Sequence, residues 1–173
     1  VRQAFGGSQW TNVSWNKFSE NVKKVSNALL ALGMKPQDKI AVFSQNCAEY
    51  LYTDFGAYGI RVASIPFYAT TSGQQIQYMV NDANVRLVFV GEQEQYDKAH
   101  RVHTVCPSLE RIIVFDRHVR LSMHDPEAMY FDDFLQLGEG FPHEQEVESL
   151  WKEANDDDLC NILYTSGTTG ESK

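Results

Sequence analysis

Four short apolar runs, Ile40–Phe43, Val62–Ile65, Leu87–Val90 and Ile112–Phe115, begin at positions 40, 62, 87 and 112, which is 22, 25 and 25 residues apart. Each is short and rich in β-branched or aromatic side chains, so each reads as a strand. None alternates apolar with polar residues, the pattern of a strand buried on both faces. The intervals carry helical patterns at Cys47–Tyr58, Gln74–Ala83 and Gln93–Val105; in the second, Ile76, Met79, Val80 and Ala83 mark one buried face. Strands alternating with helices at this interval imply βαβ units with right-handed crossovers. The expected fold class is α/β, a mostly parallel sheet with helices on both faces.

A longer helix precedes the first strand. Trp15, Phe18, Val22, Val25, Leu29 and Leu32 are spaced 3, 4, 3, 4 and 3, one apolar stripe over Ser14–Leu32. Ser14 caps its start, Gly33 ends it and Pro36 blocks continuation. Fewer than three heptads argue against a coiled coil. The first thirteen residues read as a hairpin around Gly6-Gly7. After the fourth strand the pattern weakens. Ser122-Met123-His124-Asp125-Pro126 reads as a turn, Phe131–Leu137 as a short helix closed by Gly138, and Glu144–Ala154 as a further helix. Asp156-Asp157-Asp158 reads as a solvated loop rather than a metal site. A last strand is expected over Leu159–Tyr164. No internal repeat is visible, so the regular spacing belongs to an α/β architecture rather than a solenoid.

Composition narrows the partners. A net charge of −8 over 173 residues argues against nucleic acid, whose phosphates require basic patches. No apolar run approaches 18 residues, so no transmembrane segment is expected. No signal peptide opens the chain, and the first residue is Val rather than Met. Cys47, Cys106 and Cys160 are odd in number and widely spaced, and read as buried free thiols in a reducing cytoplasm. His100, His103 and Cys106 lie at i, i+3 and i+6 on a helix; without a fourth ligand they read as a solvated face rather than a zinc site.

The chemistry is concentrated in the last ten residues, Tyr164-Thr165-Ser166-Gly167-Thr168-Thr169-Gly170-Glu171-Ser172-Lys173. Gly167 and Gly170 let backbone N–H groups approach an anion closely. Ser166, Thr168 and Thr169 add hydroxyl donors, and Lys173 a mobile point charge. The loop follows an expected strand, where α/β folds place ligands. It is not the common nucleotide loop: two residues, not four, separate the glycines, and the lysine comes three later. Nor is a dinucleotide fingerprint present, because Gly138 and Gly140 are followed by His143.

The string Tyr-Thr-Ser-Gly-Thr-Thr-Gly-x-x-Lys resembles the phosphate loop of the acyl-adenylate-forming superfamily of acyl-CoA synthetases, luciferases and peptide-synthetase adenylation domains. One departure is Ser172, where the family commonly has proline. The resemblance extends over most of the chain, through Ala28-Leu29-Leu30-Ala31-Leu32-Gly33, Asn46-Cys47-Ala48-Glu49 and Pro66-Phe67-Tyr68. Residues 44–54 and the segment Phe89-Val90-Gly91-Glu92-Gln93 look most like bacterial long-chain fatty acyl-CoA synthetases. The resemblance implies a flavodoxin-like subdomain, with residues 1–173 forming part of an N-terminal domain that ends in the phosphate loop. The C-terminal domain and its adenylating lysine would lie beyond.

The same resemblance implies a parent enzyme that activates a fatty acid with ATP and Mg²⁺ and passes the acyl group to coenzyme A. Ser166 to Gly170 would cradle the β- and γ-phosphates, Lys173 would help neutralise them, and Thr165 would touch Mg²⁺ beside a downstream glutamate. No catalytic residue is assigned within these residues. The fragment alone is expected to be inactive and the parent cytoplasmic, with possible contact to the inner membrane face. Alternatives are an aryl or short-chain CoA ligase, a carrier-protein-loading adenylation domain, or a non-catalytic nucleotide- or protein-binding module. Self-association through surfaces bared by truncation is a further possibility.

Overall fold

A computed structural model describes residues 2–3, 11–139 and 143–165. The long helix α1 runs from Trp15 to Ala31. Ser14 Oγ accepts from the Lys17 N–H at 3.2 Å. At the other end Met34 N–H reaches back to the Leu29 carbonyl at 3.0 Å, across Gly33 at φ 73°. That left-handed residue is what a Schellman ending requires, and glycine adopts it without a Cβ penalty. The buried stripe Val25, Ala28 and Leu29 then faces the sheet.

Strands β3 (Lys39–Phe43), β4 (Ala63–Phe67), β5 (Leu87–Val90), β6 (Arg111–Val114) and β7 (Ala128–Tyr130) form one parallel sheet in the order β4-β3-β5-β6-β7. Counted within that sheet the order is 2-1-3-4-5, the flavodoxin-like winding. Three helices make the crossovers: α2 (Ala48–Tyr58), α3 (Gly73–Ala83) and α4 (Gln93–His103). The path steps outward to β4, then returns over β3 to β5. With right-handed connections, that reversal puts α2 on one face and α3 and α4 on the other.

The two faces bury separate cores. Ile40, Val42, Leu87, Phe89 and Ile113 meet α1, α2 and α5 (Phe131–Glu139). Ala41, Phe43, Val88, Val90, Ile112 and Val114 meet α3 and α4. Helices therefore cover both faces, as the unbroken apolar runs require. A small antiparallel pair, β1 (Arg2–Gln3) with β2 (Thr11–Asn12), sits at the amino end, as a hairpin requires; its expected Gly6-Gly7 turn lies outside the described residues. The last helix, α6 (Glu144–Lys152), has no fully buried residue, and Val147 and Leu150 lean on the α1 side of the core.

Two features of the elements depart from the sequence pattern. Strand β7 was not anticipated: at three half-buried residues on the sheet edge it is too short to show a pattern. Gly138 does not close α5 but lies inside its last turn, buried against α1. A Cβ there would stand 2.7 Å from Ala28 N and 2.8 Å from the Lys24 carbonyl oxygen.

Gly138→Ala is expected to destabilise the chain. Overpacking against backbone costs about 1–3 kcal/mol, and alanine's helix propensity returns about 1 kcal/mol. The net is a loss of up to about 2 kcal/mol, read in the urea midpoint; a gain in stability would mean that α1 and α5 can move apart freely.

Asp54 on α2 accepts the Ser64 hydroxyl at 2.7 Å. Burial pushes its carboxyl above the ordinary 3.8, against the lowering effect of that bond. The folded state therefore holds its proton to higher pH than the unfolded chain does. Its contribution is full below about pH 3.8 and is lost as pH rises through the folded value. Asp54→Asn keeps an oxygen acceptor and removes the titration. It is expected to flatten that part of the stability–pH curve and to be at least as stable as wild type at pH 7; a large loss at pH 7 would refute this.

Candidate functional site

Residues 159–165 run beside β4 and parallel to it. Ser64 pairs with Asn161 in a single bridge: Ser64 N–H donates to the Cys160 carbonyl at 2.9 Å, and Ile162 N–H donates to the Ser64 carbonyl at 3.3 Å. The next rung would need an N–H from Pro66, which has none. The ladder stops there, so the expected strand Leu159–Tyr164 is reduced to one bridge.

Side chains supply the remaining ties. Arg61 grips Asp158 with two bonds of 2.8 and 3.0 Å. Gln37 Oε1 accepts the Leu159 N–H at 2.9 Å. The Asn161 amide meets the Tyr58 hydroxyl at 2.8 Å. Tyr164 donates its hydroxyl to Asp82 Oδ2 at 2.6 Å. One of the three consecutive aspartates is therefore an ion-pair partner rather than solvated loop.

This path delivers Thr165, exposed, to the carboxyl edge of the sheet, where β3 and β4 end. Two clefts open there. One of about 540 Å³ is lined by Pro66, Tyr68, Thr71, Gln75, Tyr164 and Thr165. The other, of about 350 Å³, lies between the strand ends and includes Ser44, Asn46, Tyr50, Tyr68 and Thr165. Ser166, Gly167, Thr168, Thr169, Gly170 and Lys173 lie outside the described residues.

The rim is built from several elements. Ser72 and Gln75 form a reciprocal capping box at the start of α3. From α4, Gln95 donates to the Ala69 carbonyl at 3.4 Å and Lys98 to the Thr71 carbonyl at 3.2 Å. The loop between β4 and α3 is thereby held to α4. At the winding reversal, a Cβ on Gly91 would lie 2.4 Å from Ser44 Oγ, so a larger residue there would have to turn the Ser44 hydroxyl aside where β3 and β5 end side by side. Cys47, close by, is pushed up to about 11 by burial, so its thiol stays protonated at neutral pH and is a poor nucleophile.

Other expected groups fall elsewhere. Of the three cysteines only Cys106 is buried; Cys47 is intermediate and Cys160 is exposed, because its stretch pairs on one side only. His100 and His103 are not a solvated face. Both turn their Nδ1 toward the buried carboxylate of Asp125, at 2.9 and 3.3 Å, and Tyr96 shares it at 3.2 Å. No three-residue group suited to a metal ion occurs among the described residues. Sequence reasoning missed Tyr68, Thr71 and Gln75 as rim residues. The Ser72-x-x-Gln75 pattern was a usable signal for Gln75; the Tyr164–Asp82 contact spans 82 positions and left none.

The sequence profile of the AMP-binding enzymes matches residues 2–173. The chain belongs to the AMP-binding enzyme family. Among its relatives, the long-chain-fatty-acid–CoA ligase ACSBG2 of Xenopus laevis is 25% identical over 167 residues, 96% of this chain and 22% of that protein. Its Homo sapiens counterpart is 28% identical over 169 residues, 96% of this chain and 25% of that protein. Long chain acyl-CoA synthetase 4 of Arabidopsis thaliana is 25% identical over 171 residues, covering 92% and 24%. The chain thus spans about a quarter of the length of these relatives. The crystal structure of the anthranilate CoA ligase AuaEII in complex with anthranoyl-AMP shares the fold, with TM-score 0.73 and 22% identity over 91% of this chain and 28% of that one. No described helix is long and apolar enough to cross a membrane.

Arg61→Ala is expected to quicken amide hydrogen exchange at Ile162 and Ser64, while amides in β5 keep their wild-type rates. Unchanged exchange at Ile162 would show that the Arg61–Asp158 pair does not hold residues 159–165 in place.

Proposed function

We propose that these residues form part of the N-terminal domain of a long-chain fatty acid–CoA ligase, and that residues 165–173 are its phosphate-binding loop. The observation that carries this reading is the delivery of Thr165 to the carboxyl edge of a 2-1-3-4-5 sheet, at the mouth of two clefts. Open α/β sheets bind ligands outside their strands' carboxyl ends. The loop's residue types, the family membership and the fatty-acid ligases among the relatives point the same way.

In this reading a fatty carboxylate oxygen attacks the α-phosphorus of ATP and pyrophosphate leaves; the coenzyme A thiol then takes the acyl group and AMP departs. Charge grows on the departing pyrophosphate. Backbone N–H groups of Ser166 to Gly170 would meet it as hydrogen-bond donors and the Lys173 ammonium as a balancing charge. Thr165 fits a magnesium ion: its hydroxyl is a hard oxygen donor, exposed at the cleft mouth, and the ion needs few protein ligands beside phosphate and water. When bound, Mg²⁺ would supply charge neutralisation at the phosphates.

Full-length protein is expected to catalyse fatty-acid-dependent ATP–pyrophosphate exchange with long-chain acids, whereas residues 1–173 alone catalyse none. Lys173→Ala should lower kcat/KM for MgATP by about 10²-fold, the usual loss on removing one transition-state donor. Exchange driven by aryl acids but not fatty acids would overturn the substrate assignment while leaving the adenylating chemistry intact.

A further inference from the structure

The phosphate loop needs a fixed base, and the backbone does not provide one. Pro66 ends the pairing with β4, so Ile162 N–H makes the last main-chain hydrogen bond of this stretch among the described residues. Leu163 is 68% exposed and adds no anchor. Tyr164 is the next residue, immediately before Thr165.

Tyr164 reaches the outer face of α3. Its hydroxyl donates to Asp82 Oδ2 at 2.6 Å, and its ring meets Tyr78 edge-on, with centroids 6.3 Å apart at 81°. Tyr78 and Asp82 lie one helical turn apart, while Ile76, Met79, Val80 and Ala83 hold α3 in the core. The anchor point is therefore rigid. Burial and the neighbouring Asp82 raise the phenol above its ordinary range, so it remains a donor at all physiological pH values.

We propose that Tyr164, clamped by Asp82 and Tyr78, is a positioning residue for the phosphate loop, replacing the β-ladder that Pro66 interrupts. The assignment rests on the ligase reading only for its effect on catalysis; the clamp itself is a property of the fold. A hydrogen bond to a charged acceptor that fixes the residue next to Thr165 sets where Thr165 begins. A displacement of that start by about 1 Å is enough to cost up to 10²-fold in catalysis.

The test uses full-length protein carrying Tyr164→Phe, Asp82→Ala, Asp82→Asn and the Tyr164→Phe/Asp82→Ala pair. Hydrogen exchange is read first. Residues 163–165 are expected to exchange faster in Tyr164→Phe and Asp82→Ala, with rates in β3 and β5 unchanged; unaltered exchange at 163–165 would overturn the clamp whether or not the protein is active.

ATP–pyrophosphate exchange is read second. Each single variant should raise KM for MgATP about tenfold, the equivalent of a 1.4 kcal/mol bond, and leave KM for the acid within twofold. Asp82→Asn, which keeps an oxygen acceptor, should restore most of the loss. The double variant should be no worse than either single one, as partners in one contact require. Additive losses, or equal changes for ATP and acid, would mean a general structural role and overturn the proposal. Absence of exchange in the wild type would overturn the ligase reading, with the hydrogen-exchange arm still deciding the clamp.

Discussion

Everything in this fold depends on β3 and β5 being buried on both faces. Ile40 to Phe43 and Val88 to Val90 have no exposed surface. Each large side chain so buried contributes about 1.5–3 kcal/mol, whereas a typical internal hydrogen bond nets about 1 kcal/mol. Burial therefore decides the architecture, and helices must cover both sides of the sheet. Right-handed crossovers can do so only if the chain reverses its winding, here between β3 and β5. The ligand end of the sheet follows from that reversal. It brings Gly91 close against Ser44, and it opens the clefts at which Thr165 arrives.

Much of this was legible in the sequence because it is periodic. The runs starting at Ile40, Leu87 and Ile112 fall within a residue of observed strand starts, and the stripe from Trp15 to Leu32 gives α1 with its Ser14 cap and Gly33 ending. These features are local, and local chemistry is what a sequence displays. β7 escaped because three half-buried edge residues carry no period. Gly138 was misread because a glycine at a helix end and a glycine under a neighbouring helix look alike until the partner, Ala28 of α1, is in place. His100 and His103 seemed solvated because their partner, Asp125, lies on the far side of β6 in the chain.

Leu159–Tyr164 failed for a different reason. Its own residues suit a strand well. The obstacle is in its neighbour: Pro66, tolerated at an edge, cannot donate the next rung. Propensity describes a segment, while pairing needs two, so the interruption is visible only once register places Ser64 opposite Asn161. The same register explains why Cys160 is exposed although its sequence context is apolar.

An edge strand paired along its whole length would hold Thr165 rigidly but would also tie its position to the sheet. Ending the ladder at Pro66 separates the two. The upstream half of the segment is fixed to the amino side of the sheet by Arg61 and Gln37, and the downstream half to α3 by Tyr164. The position of Thr165 then depends on where α3 sits, and α3 is set in turn by its core face and by the Ser72–Gln75 box beside the cleft. The loop between β4 and α3, held to α4 by Gln95 and Lys98, lines the same cleft. Both walls of the cleft at Thr165 are therefore referred to the α3–α4 layer. A displacement of that layer moves Thr165 and the opposing rim together and preserves the spacing across the cleft.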